Sequence, residues 1–296
     1  MRVCVIFNPA ARGEKAQKLA GLLQTFGRDC HCKPTSAIGD ARLLAAQATA
    51  EGYDTVVAAG GDGTLNEVLN GIGDVPGGFS KVRLGVLPIG TINVFARELR
   101  IPLEPIIAWK AILQGNEVSI DLPRAEFQHE GKTISRYFVQ LAGAGLDSNA
   151  VALVNWELKK KIGPLAYVAA GMKALRLTQS KITVTSSTGT TTGELALIGN
   201  GQLYGGDFKL FSKADLHDGL LDVCVFPKVD WPTIFRAGIG LVTKDLHRVC
   251  NASELQANTL TLTANRRTFL QLDGENVGEL PAKFSLQPKL LRVIAP

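Results

Sequence analysis

The chain has 296 residues, a formal net charge of +5 and 46% hydrophobic residues, which allows one large domain or two ordinary ones. This composition is typical of a soluble globular protein and excludes long intrinsic disorder. The charge is compatible with a phosphate or an anionic membrane surface, but it is too mild and too dispersed for a nucleic-acid-binding protein. No stretch approaches the roughly 18 apolar residues of a membrane span, and the apolar start is too short for a signal peptide. We therefore expect a cytoplasmic protein that at most contacts a membrane peripherally and transiently.

Strand-like and helix-like patterns alternate over the first 120 residues. Short apolar runs with β-branched residues predict buried parallel strands at 3–7, 55–59 and 83–88. Apolar residues at helical spacing predict helices at 14–26, 40–52 and 64–72. Asp40 is a candidate N-cap, and Gly52 and Gly73 are candidate helix ends. This alternation predicts a doubly wound α/β domain over residues 1–121.

The pattern changes after about residue 122, where strands separated by polar turns dominate. The predicted strands are 136–142, 181–187, 193–200, 220–226, 259–264 and 268–273. Two helical stretches interrupt them, at roughly 150–177 and 231–242. We predict an antiparallel β-rich domain over 122–283, built as a sandwich or a partial barrel. Residues 284–296 are expected to form a last strand that returns to the first domain.

The five cysteines are scattered: Cys4, Cys30, Cys32, Cys224 and Cys250. The "CHC" at 30–32 lacks the CxxC spacing of zinc sites, and no second ligand pair accompanies it. A structural zinc site is therefore not expected. Reduced thiols in a cytosolic protein are the preferred interpretation.

The stretch "AAGGDGTLNEVLNGI" at 58–72 places three glycines and an aspartate between a predicted strand and a predicted helix. Ligands of open α/β sheets bind outside the carboxyl ends of the strands, where Gly60–Thr64 lie. Glycines let the backbone approach a ligand, and a helix starting near Thr64 would favour a phosphate. Asp62 would repel that phosphate unless a cation lay between them. The pattern therefore indicates a nucleotide bound with Mg²⁺, whereas an Asp-Gly turn without a ligand is the simpler alternative.

Two further loops favour the ligand-binding interpretation. "NPAARG" (8–13) follows the first strand and "PIGTINVFAR" (88–97) follows another strand of the same predicted sheet. All three loops should meet at one edge, which indicates a phosphate-bearing ligand. The motifs match neither a Walker A sequence nor a GxGxxG fingerprint.

These segments occur together with others in the second half of the chain: "GAGLD" (143–147), "NGQLYGG" (200–206), "KADLHDGLLDV" (213–223) and "LDGE" (272–275). In this order the chain resembles the soluble diacylglycerol kinase and sphingosine-kinase-like lipid kinases, over nearly its full length. The resemblance implies a two-domain fold like that of NAD kinase. It also implies transfer of the γ-phosphoryl group of ATP to a primary hydroxyl of a diacylglycerol-like lipid, with the nucleotide in the cleft between domains. Such an enzyme acts in phospholipid metabolism.

The resemblance also assigns the site residues. The nucleotide-binding set is Asn8, Pro9, Arg12, Thr35, Gly60, Gly61, Asp62, Gly63, Thr64, Asn66, Glu67, Gly90 and Thr91. The implied catalytic residues are Glu275, Asp273 and Asp62. A structural Mg²⁺ in the second domain would be held by the Asp218 side chain and by the backbone carbonyls of Asp215 and Leu220.

Glu275 suits a general base because it follows a predicted strand on an Asp-Gly turn. Its carboxylate would accept the proton of the attacking hydroxyl, and Asp273 would orient it or join the metal network. An isolated "DGE" is more often an ordinary hairpin turn, so the assignment depends on the other motifs.

The sequence departs from the family pattern at four places. "NPAARG" replaces NPxSG, and Val94, Asp207 and Ser212 stand where aspartate, glycine and proline are usual. Asp218 and Glu275 are retained. The departures therefore bear on substrate choice and metal affinity more than on catalysis.

Several assignments have structural alternatives. Thr35 could simply precede a helix, Glu67 could favour a helix end, and Arg12 and Arg97 could be solvated rather than bound to phosphate. The segment 155–176 combines a run of three lysines at 159–161 with an apolar helical run. It fits either a helix packed on the second domain or a contact with lipid.

Two other functions compete with a lipid kinase. An NAD kinase shares the GGDG loop and the two-domain plan, but "PIGTINVFAR", "NGQLYGG" and "LDGE" belong to the lipid-kinase pattern. A non-catalytic nucleotide-binding regulator is the second alternative, and the intact Asp62, Asp218 and Glu275 argue against it. A homodimer is compatible with the sequence.

Overall fold

The computed structural model describes residues 2–9, 21, 30–146, 148–149, 175, 179–233, 236 and 250–296. The chain divides into two compact units. Unit 1 comprises Met1–Leu122, Gly205–Asp207 and Gln287–Pro296, and unit 2 comprises Pro123–Tyr204 and Phe208–Leu286. The domain boundaries drawn from the sequence remain a prediction.

Unit 1 is built on a parallel sheet with helices between its strands. Its elements are β1 (Val3–Phe7), β2 (His31–Pro34), α1 (Asp40–Ala50), β3 (Thr55–Gly60), α2 (Asp62–Gly73), α3 (Gly78–Lys81), β4 (Arg83–Pro88), α4 (Val94–Glu98) and α5 (Pro105–Gln114). The strands lie in the order β4–β3–β1–β2 and all pair in parallel. Because β1 has β2 on one side and β3 on the other, the strand order reverses at β1. The predicted doubly wound α/β fold is confirmed.

The helix termini of unit 1 differ in detail from the sequence-based expectation. Helix α2 begins at Asp62, two residues early, because the Gly61 carbonyl already accepts the Leu65 N–H at 3.1 Å. It ends after Gly73, so this glycine lies inside the helix. Gly52, by contrast, has a φ of 75° directly after the α1 C-cap, as a helix-ending glycine should.

Asp40 is not the N-cap of α1. That position belongs to Gly39, whose φ is 91°, and Asp40 is the first helical residue. The Asp40 carboxylate accepts the N–H groups of Ser36 (2.7 Å) and Ala37 (2.9 Å), so it closes the preceding loop instead. The Ser36 hydroxyl also donates to the Asp40 carboxylate. This side-chain hydrogen bond, followed by the two backbone bonds, lowers the pKa of Asp40. The predicted helix at 14–26 lies outside the described residues except for Gly21.

Unit 2 consists of antiparallel strands. The elements that begin within or extend into it are β5 (Glu117–His129), β6 (Lys132–Tyr137), β7 (Leu141–Gly145), β8 (Ile182–Ser186), β9 (Gly189–Gly193), β10 (Leu195–Gly199), β11 (Leu203–Tyr204), β12 (Phe208–Lys209), β13 (Leu221–Phe226), β14 (Ser253–Ala257), β15 (Thr259–Ala264), β16 (Phe269–Leu272) and β17 (Glu275–Ile294). One row runs β14–β13–β10–β7–β16–β17, and β17 also pairs with β15, which continues to β8 and β9. The predicted β-rich antiparallel fold is confirmed.

The long strand β17 contributes to both units. Its first part pairs with β16 and β15 in unit 2. Its last part belongs to unit 1, where Val293 pairs in parallel with Leu84 of β4. The unit 2 core includes Phe138 and Phe284, which meet edge to face at 6.1 Å and are fully buried.

The predicted strand at 136–142 is interrupted: β6 ends at Tyr137 and β7 begins at Leu141. The break occurs because the N–H groups of Val139 and Gln140 donate to the Asp273 carboxylate. The helical stretches expected at 150–177 and 231–242 lie mostly outside the described residues. Among the helices that the structure describes, none has the length and apolar character needed to span a bilayer.

Candidate functional site

The predicted nucleotide loops lie at the carboxyl edge of the unit 1 sheet. Asn8 and Pro9 directly follow β1, Gly60 ends β3, and Gly90 lies two residues after β4. The reversal of strand order between β1 and β3 is a topological switch point, and ligands of open α/β sheets bind outside such points. The fold therefore brings three predicted loops to the edge where a ligand would bind.

Two of these loops touch through their glycines. The Gly60 carbonyl accepts the N–H groups of Ile89 (3.1 Å) and Gly90 (3.2 Å). A Cβ on Gly90 would overlap the Cα of Gly61, and a Cβ on Gly60 would overlap the Thr64 side chain. Glycine is thus required here by close backbone approach, which the sequence had attributed only to a ligand.

Asp62 links the same loops. Its Oδ2 accepts the Asn93 N–H at 3.1 Å, and Asn93 is buried in a left-handed conformation with φ 55°. The Asn93 side-chain amide in turn donates to the Gly90 carbonyl at 2.8 Å. Asp62 therefore has a structural partner in addition to the cation proposed from the sequence. Two features of the sequence could have indicated this bridge between the loops. Asp62 stands among glycines, and asparagine, the residue type of Asn93, readily adopts a left-handed turn.

Glu67 caps a neighbouring helix rather than its own. Its two carboxylate oxygens accept the N–H groups of Gly39 (3.0 Å) and Ala41 (3.1 Å) at the start of α1. Asn66 is buried, and its Oδ1 accepts the Asn70 side-chain amide at 3.1 Å. Asn66 thus lies in the interior of unit 1 and Glu67 lies partly buried against the start of α1, and their contact with a nucleotide remains a prediction.

The remaining predicted nucleotide contacts occupy different settings. Thr35 is partly buried and donates its N–H to the Phe7 carbonyl at 2.9 Å, one residue beyond β2. Thr91 is exposed in the loop before α4, and Gly63 and Thr64 lie in the first turn of α2. Arg12 lies outside the described residues.

Arg97 braces the second glycine loop. Its Nε donates to the Ile92 carbonyl at 2.8 Å, and its Nη1 pairs with the Asp207 carboxylate at 2.6 Å. Both charged residues belong to unit 1. Asp207 occupies the position where the family resemblance predicts glycine, so the sequence departure supplies the partner of Arg97. An acidic residue at a usual glycine position was the signal available for this ion pair.

The segment predicted to carry the general base is a two-residue hairpin turn. Asp273 (φ 47°) and Gly274 (φ 85°) both have positive φ, and Leu272 pairs with Glu275 across the turn. Such angles define the type I′ turn that Asp-Gly favours. Glu275 is partly buried as the first residue of β17.

Asp273 fixes this turn to a neighbouring segment. Its carboxylate accepts three backbone N–H groups, from Val139 (2.9 Å), Gln140 (3.0 Å) and Leu141 (3.1 Å). Its own N–H donates to the Leu141 carbonyl at 2.7 Å. This arrangement positions the hairpin that carries Glu275, and a direct catalytic role of Asp273 stays a prediction.

The predicted metal-binding turn has ligand atoms of a suitable chemical type. The Asp218 side chain is exposed, its Oδ1 accepts the Leu220 N–H at 2.8 Å, and its own N–H lies 3.4 Å from the Asp215 carbonyl. One carboxylate with backbone carbonyls is an all-oxygen set, which suits Mg²⁺. Among the described residues no group of three or more His, Cys, Asp or Glu side chains could hold a metal. A cation here would therefore depend on the carbonyls of Asp215 and Leu220.

The environment of this turn is acidic. Burial raises the pKa of Asp222 to about 6, while hydrogen bonds from Gln256 lower it and the nearby Asp218 raises it further. The Asp215 carboxylate accepts the His217 N–H at 3.0 Å, so that side chain is engaged within the turn. These charges favour a cation near Asp218.

Comparison with known proteins establishes the family. Residues 2–125 match the diacylglycerol kinase catalytic domain, and residues 140–295 match the YegS C-terminal NAD kinase beta sandwich-like domain. A diacylglycerol kinase of Bacillus subtilis (strain 168) is 32% identical over 307 residues, covering 100% of this chain and 96% of the relative. The chain belongs to the diacylglycerol kinase family.

Other members and solved structures agree with this assignment. A diacylglycerol kinase of Staphylococcus carnosus (strain TM300) is 29% identical over 303 residues, covering 100% of this chain and 95% of the relative. A crystal structure of a diacylglycerol kinase from Bacillus anthracis str. Sterne aligns with a TM-score of 0.77 at 23% identity, covering 100% of this chain and 97% of that one. Another chain from the same strain gives a TM-score of 0.80 at 22% identity, over 100% and 95% of the two chains. The structural likeness supports the two-domain fold.

The contact between the glycine loops predicts an asymmetric response to alanine. Gly90→Ala would overlap the Gly61 Cα, whereas a Cβ on Gly61 would lie 3.3 Å from the Gly90 Cα. We expect Gly90→Ala to reduce the free energy of unfolding by about 1–3 kcal/mol and Gly61→Ala to reduce it by less than half of that. Urea unfolding of the two variants measures the difference. Equal stability of Gly90→Ala and the wild type would show that the loops do not touch as described.

The three N–H groups bound by Asp273 predict a structural cost for its removal. Asp273→Ala leaves these donors without their acceptor, and we expect a loss of roughly 2–3 kcal/mol in the free energy of unfolding. Asp273→Asn keeps one acceptor oxygen and should lose less. Chemical denaturation compares the two variants, and an unchanged midpoint for Asp273→Ala would contradict the arrangement.

Proposed function

We propose that the protein is an ATP-dependent lipid kinase that transfers the γ-phosphoryl group to a primary hydroxyl of a diacylglycerol-like lipid. The observation that carries the proposal is the pair of glycine loops held against each other at the switch point of a sheet in a chain of this family. Because Gly60, Gly61 and Gly63 carry no side chain, a phosphate could approach the backbone N–H groups of the Gly60–Thr64 segment. The lipid acceptor is proposed from the names of the relatives.

The nucleotide side of the reaction would depend on backbone groups of unit 1. Helix α2 starts at Asp62, so the N–H groups of its first turn lack helical acceptors and can donate to phosphate oxygens. The bridge from Asp62 to Asn93 would keep the Gly60–Thr64 and Gly90–Asn93 segments at a fixed spacing. The Arg97 guanidinium holds the Ile92 carbonyl and steadies the same loop.

Two positions are proposed for divalent cations. Asp62 would contact the Mg²⁺ that accompanies ATP, and Asp218 with the carbonyls of Asp215 and Leu220 would hold a structural one. When bound, Mg²⁺ shields the phosphate charge against the incoming hydroxyl and the departing ADP. The protein's own contribution is the position of these oxygen atoms.

Glu275 is the proposed general base. The hydroxyl oxygen of the lipid attacks the γ-phosphorus, and its proton passes to the Glu275 carboxylate. The bond between the γ-phosphorus and the β,γ-bridging oxygen breaks, and ADP leaves with that electron pair. Asp273 would act through the hairpin, because its three N–H contacts fix the turn from which Glu275 extends.

The role of Glu275 is tested with a carboxylate on the same strand as control. Glu275→Gln should fold and bind ATP normally but lose turnover by about 10²–10⁴-fold, because the amide cannot accept the proton. Glu279 also lies on β17 and is paired with Arg267, so Glu279→Gln should keep nearly full activity. The measurement compares the turnover rates of both variants and of the wild type with a diacylglycerol substrate. Wild-type turnover in the Glu275→Gln variant would show that Glu275 is not the general base.

The acceptor class is tested with labelled ATP. Incubation with a dispersed diacylglycerol, with a sphingoid base or with NAD should place the label in the lipid extract and not in the aqueous dinucleotide fraction. Mass spectrometry of the extract identifies the product. Labelled NADP would favour a dinucleotide kinase, and ATP binding without any labelled product would favour a non-catalytic nucleotide-binding protein.

A further inference from the structure

A cavity of about 390 Å³ opens on unit 1 between α3 and the last part of β17. None of the residues assigned to the proposed reaction lines it. Its lining combines two cationic side chains, one hydroxyl and three apolar side chains, and it contains no carboxylate: Phe79, Ser80, Pro288, Lys289, Leu290 and Arg292. We propose that this cavity binds a phosphomonoester that carries an apolar chain.

The cavity lies at the edge of the sheet opposite to the nucleotide loops. Val293 of β17 pairs in parallel with Leu84, the second residue of β4, so Arg292 lies near the start of β4. The predicted nucleotide loops instead follow the carboxyl ends of the strands, beyond Pro88 in the case of β4. A ligand in this cavity would therefore occupy an additional site on unit 1.

The Arg292 guanidinium has hydrogen-bond donors left for a ligand. Its Nη2 donates to the Ser80 carbonyl at 2.8 Å, and its buried Nε has no acceptor among the described residues. Within the part of the chain that the structure describes, neither Arg292 nor Lys289 forms an ion pair with a carboxylate. Since a guanidinium carries five N–H donors, most of them remain for water or for an anionic ligand.

The charge of the lining suits a phosphate better than a carboxylate. Lys289 and Arg292 supply two positive charges, and a phosphomonoester carries about 1.5 to 2 negative charges at pH 7. A neighbouring cavity of about 300 Å³ shares Arg292 and adds two cationic and two acidic residues, namely Lys81, Arg83, Asp54 and Glu117. The charges of these four residues cancel, so the preference for a dianion rests on the first cavity.

Both walls of the cavity are held in place by hydrogen bonds. On α3 the Ser80 hydroxyl donates to the Gly77 carbonyl at 2.7 Å. On β17 the Lys289 N–H donates to the buried Asp121 carboxylate at 2.7 Å, in a left-handed conformation with φ 51°. The site is therefore largely formed without a ligand, as small-molecule sites usually are.

The apolar part of the lining distinguishes the ligand from free phosphate. Phe79, Pro288 and Leu290 lie beside the two cations, and an inorganic phosphate would leave them uncovered. An acyl or alkyl chain attached to the phosphate would cover them and remove apolar surface from water. The product of the proposed kinase reaction belongs to this chemical class, although the site is inferred from its lining alone.

Calorimetric titration of the full-length protein with a short-chain lysophosphatidate tests the proposal without ATP. We expect saturable binding that Lys289→Gln and Arg292→Gln each weaken at least fivefold, because each removes one positive charge from the site. Lys283→Gln removes an exposed lysine of β17 outside the cavity and should bind as the wild type does. The matching monoacylglycerol, which lacks the phosphate, and glycerol 3-phosphate, which lacks the chain, should both bind more weakly.

A second measurement on the wild type keeps the test independent of how the variants fold. The lysophosphatidate should protect Lys289, but not Lys283, from acetylation by acetic anhydride, as located by peptide mass spectrometry. Phosphatidylcholine vesicles with and without phosphatidate show whether a lipid within a membrane also fills the site.

Two results would overturn the proposal: binding that both variants retain at wild-type strength, or acetylation of Lys289 that neither phosphate-bearing lipid slows. Because neither ATP nor turnover takes part, these results are independent of the proposed kinase function.

Discussion

The approach of Gly90 to Gly60 and Gly61 is the constraint on which the candidate nucleotide site depends. A single side chain at Gly90 would overlap the neighbouring backbone, so the two loops can meet only through glycine. Their contact is secured from both ends. The Gly60 carbonyl accepts two N–H groups of the second loop, and the Asp62 carboxylate accepts a third from Asn93. The edge at which we propose that a nucleotide binds is therefore organised by contacts within the protein itself.

Acidic side chains perform much of this organisation. Asp62, Glu67 and Asp273 were each assigned to chemistry from the sequence, and each accepts backbone N–H groups from a different part of its own unit. A carboxylate that accepts backbone amides fixes loop geometry and still has lone pairs for other partners, so a structural and a chemical role can coincide. Asp207 adds a fourth case, because it neutralises Arg97 beside the second loop.

Much of the fold could be predicted from local patterns. The strands Val3–Phe7, Arg83–Pro88 and Thr259–Ala264 coincide with their apolar or alternating runs, because burial selects those patterns directly. The interruption before Leu141 could not be predicted, since it arises from a carboxylate more than 130 residues away in sequence. A local sequence pattern contains no information about partners that are so distant in sequence.

The candidate site also has features that the sequence could predict and features that it could not. Glycine spacing was enough to locate the loops at the sheet edge, because strand direction and loop position follow from the alternation of elements. The capping of α1 by Glu67 and the pairing of Arg97 with Asp207 required the tertiary structure. Sequence pattern predicts where a side chain lies along an element, and only packing determines what it meets.

The strand Glu275–Ile294 has a consequence for how the chain folds during synthesis. Unit 1 begins with β1, yet the strand beside β4 is supplied by Val293, more than 200 residues after Leu84 in sequence. During synthesis unit 1 therefore keeps β4 as an open sheet edge until β17 has been made. Any fragment that stops before this strand inherits that unprotected edge, so neither half can be freed from the other by a single cut.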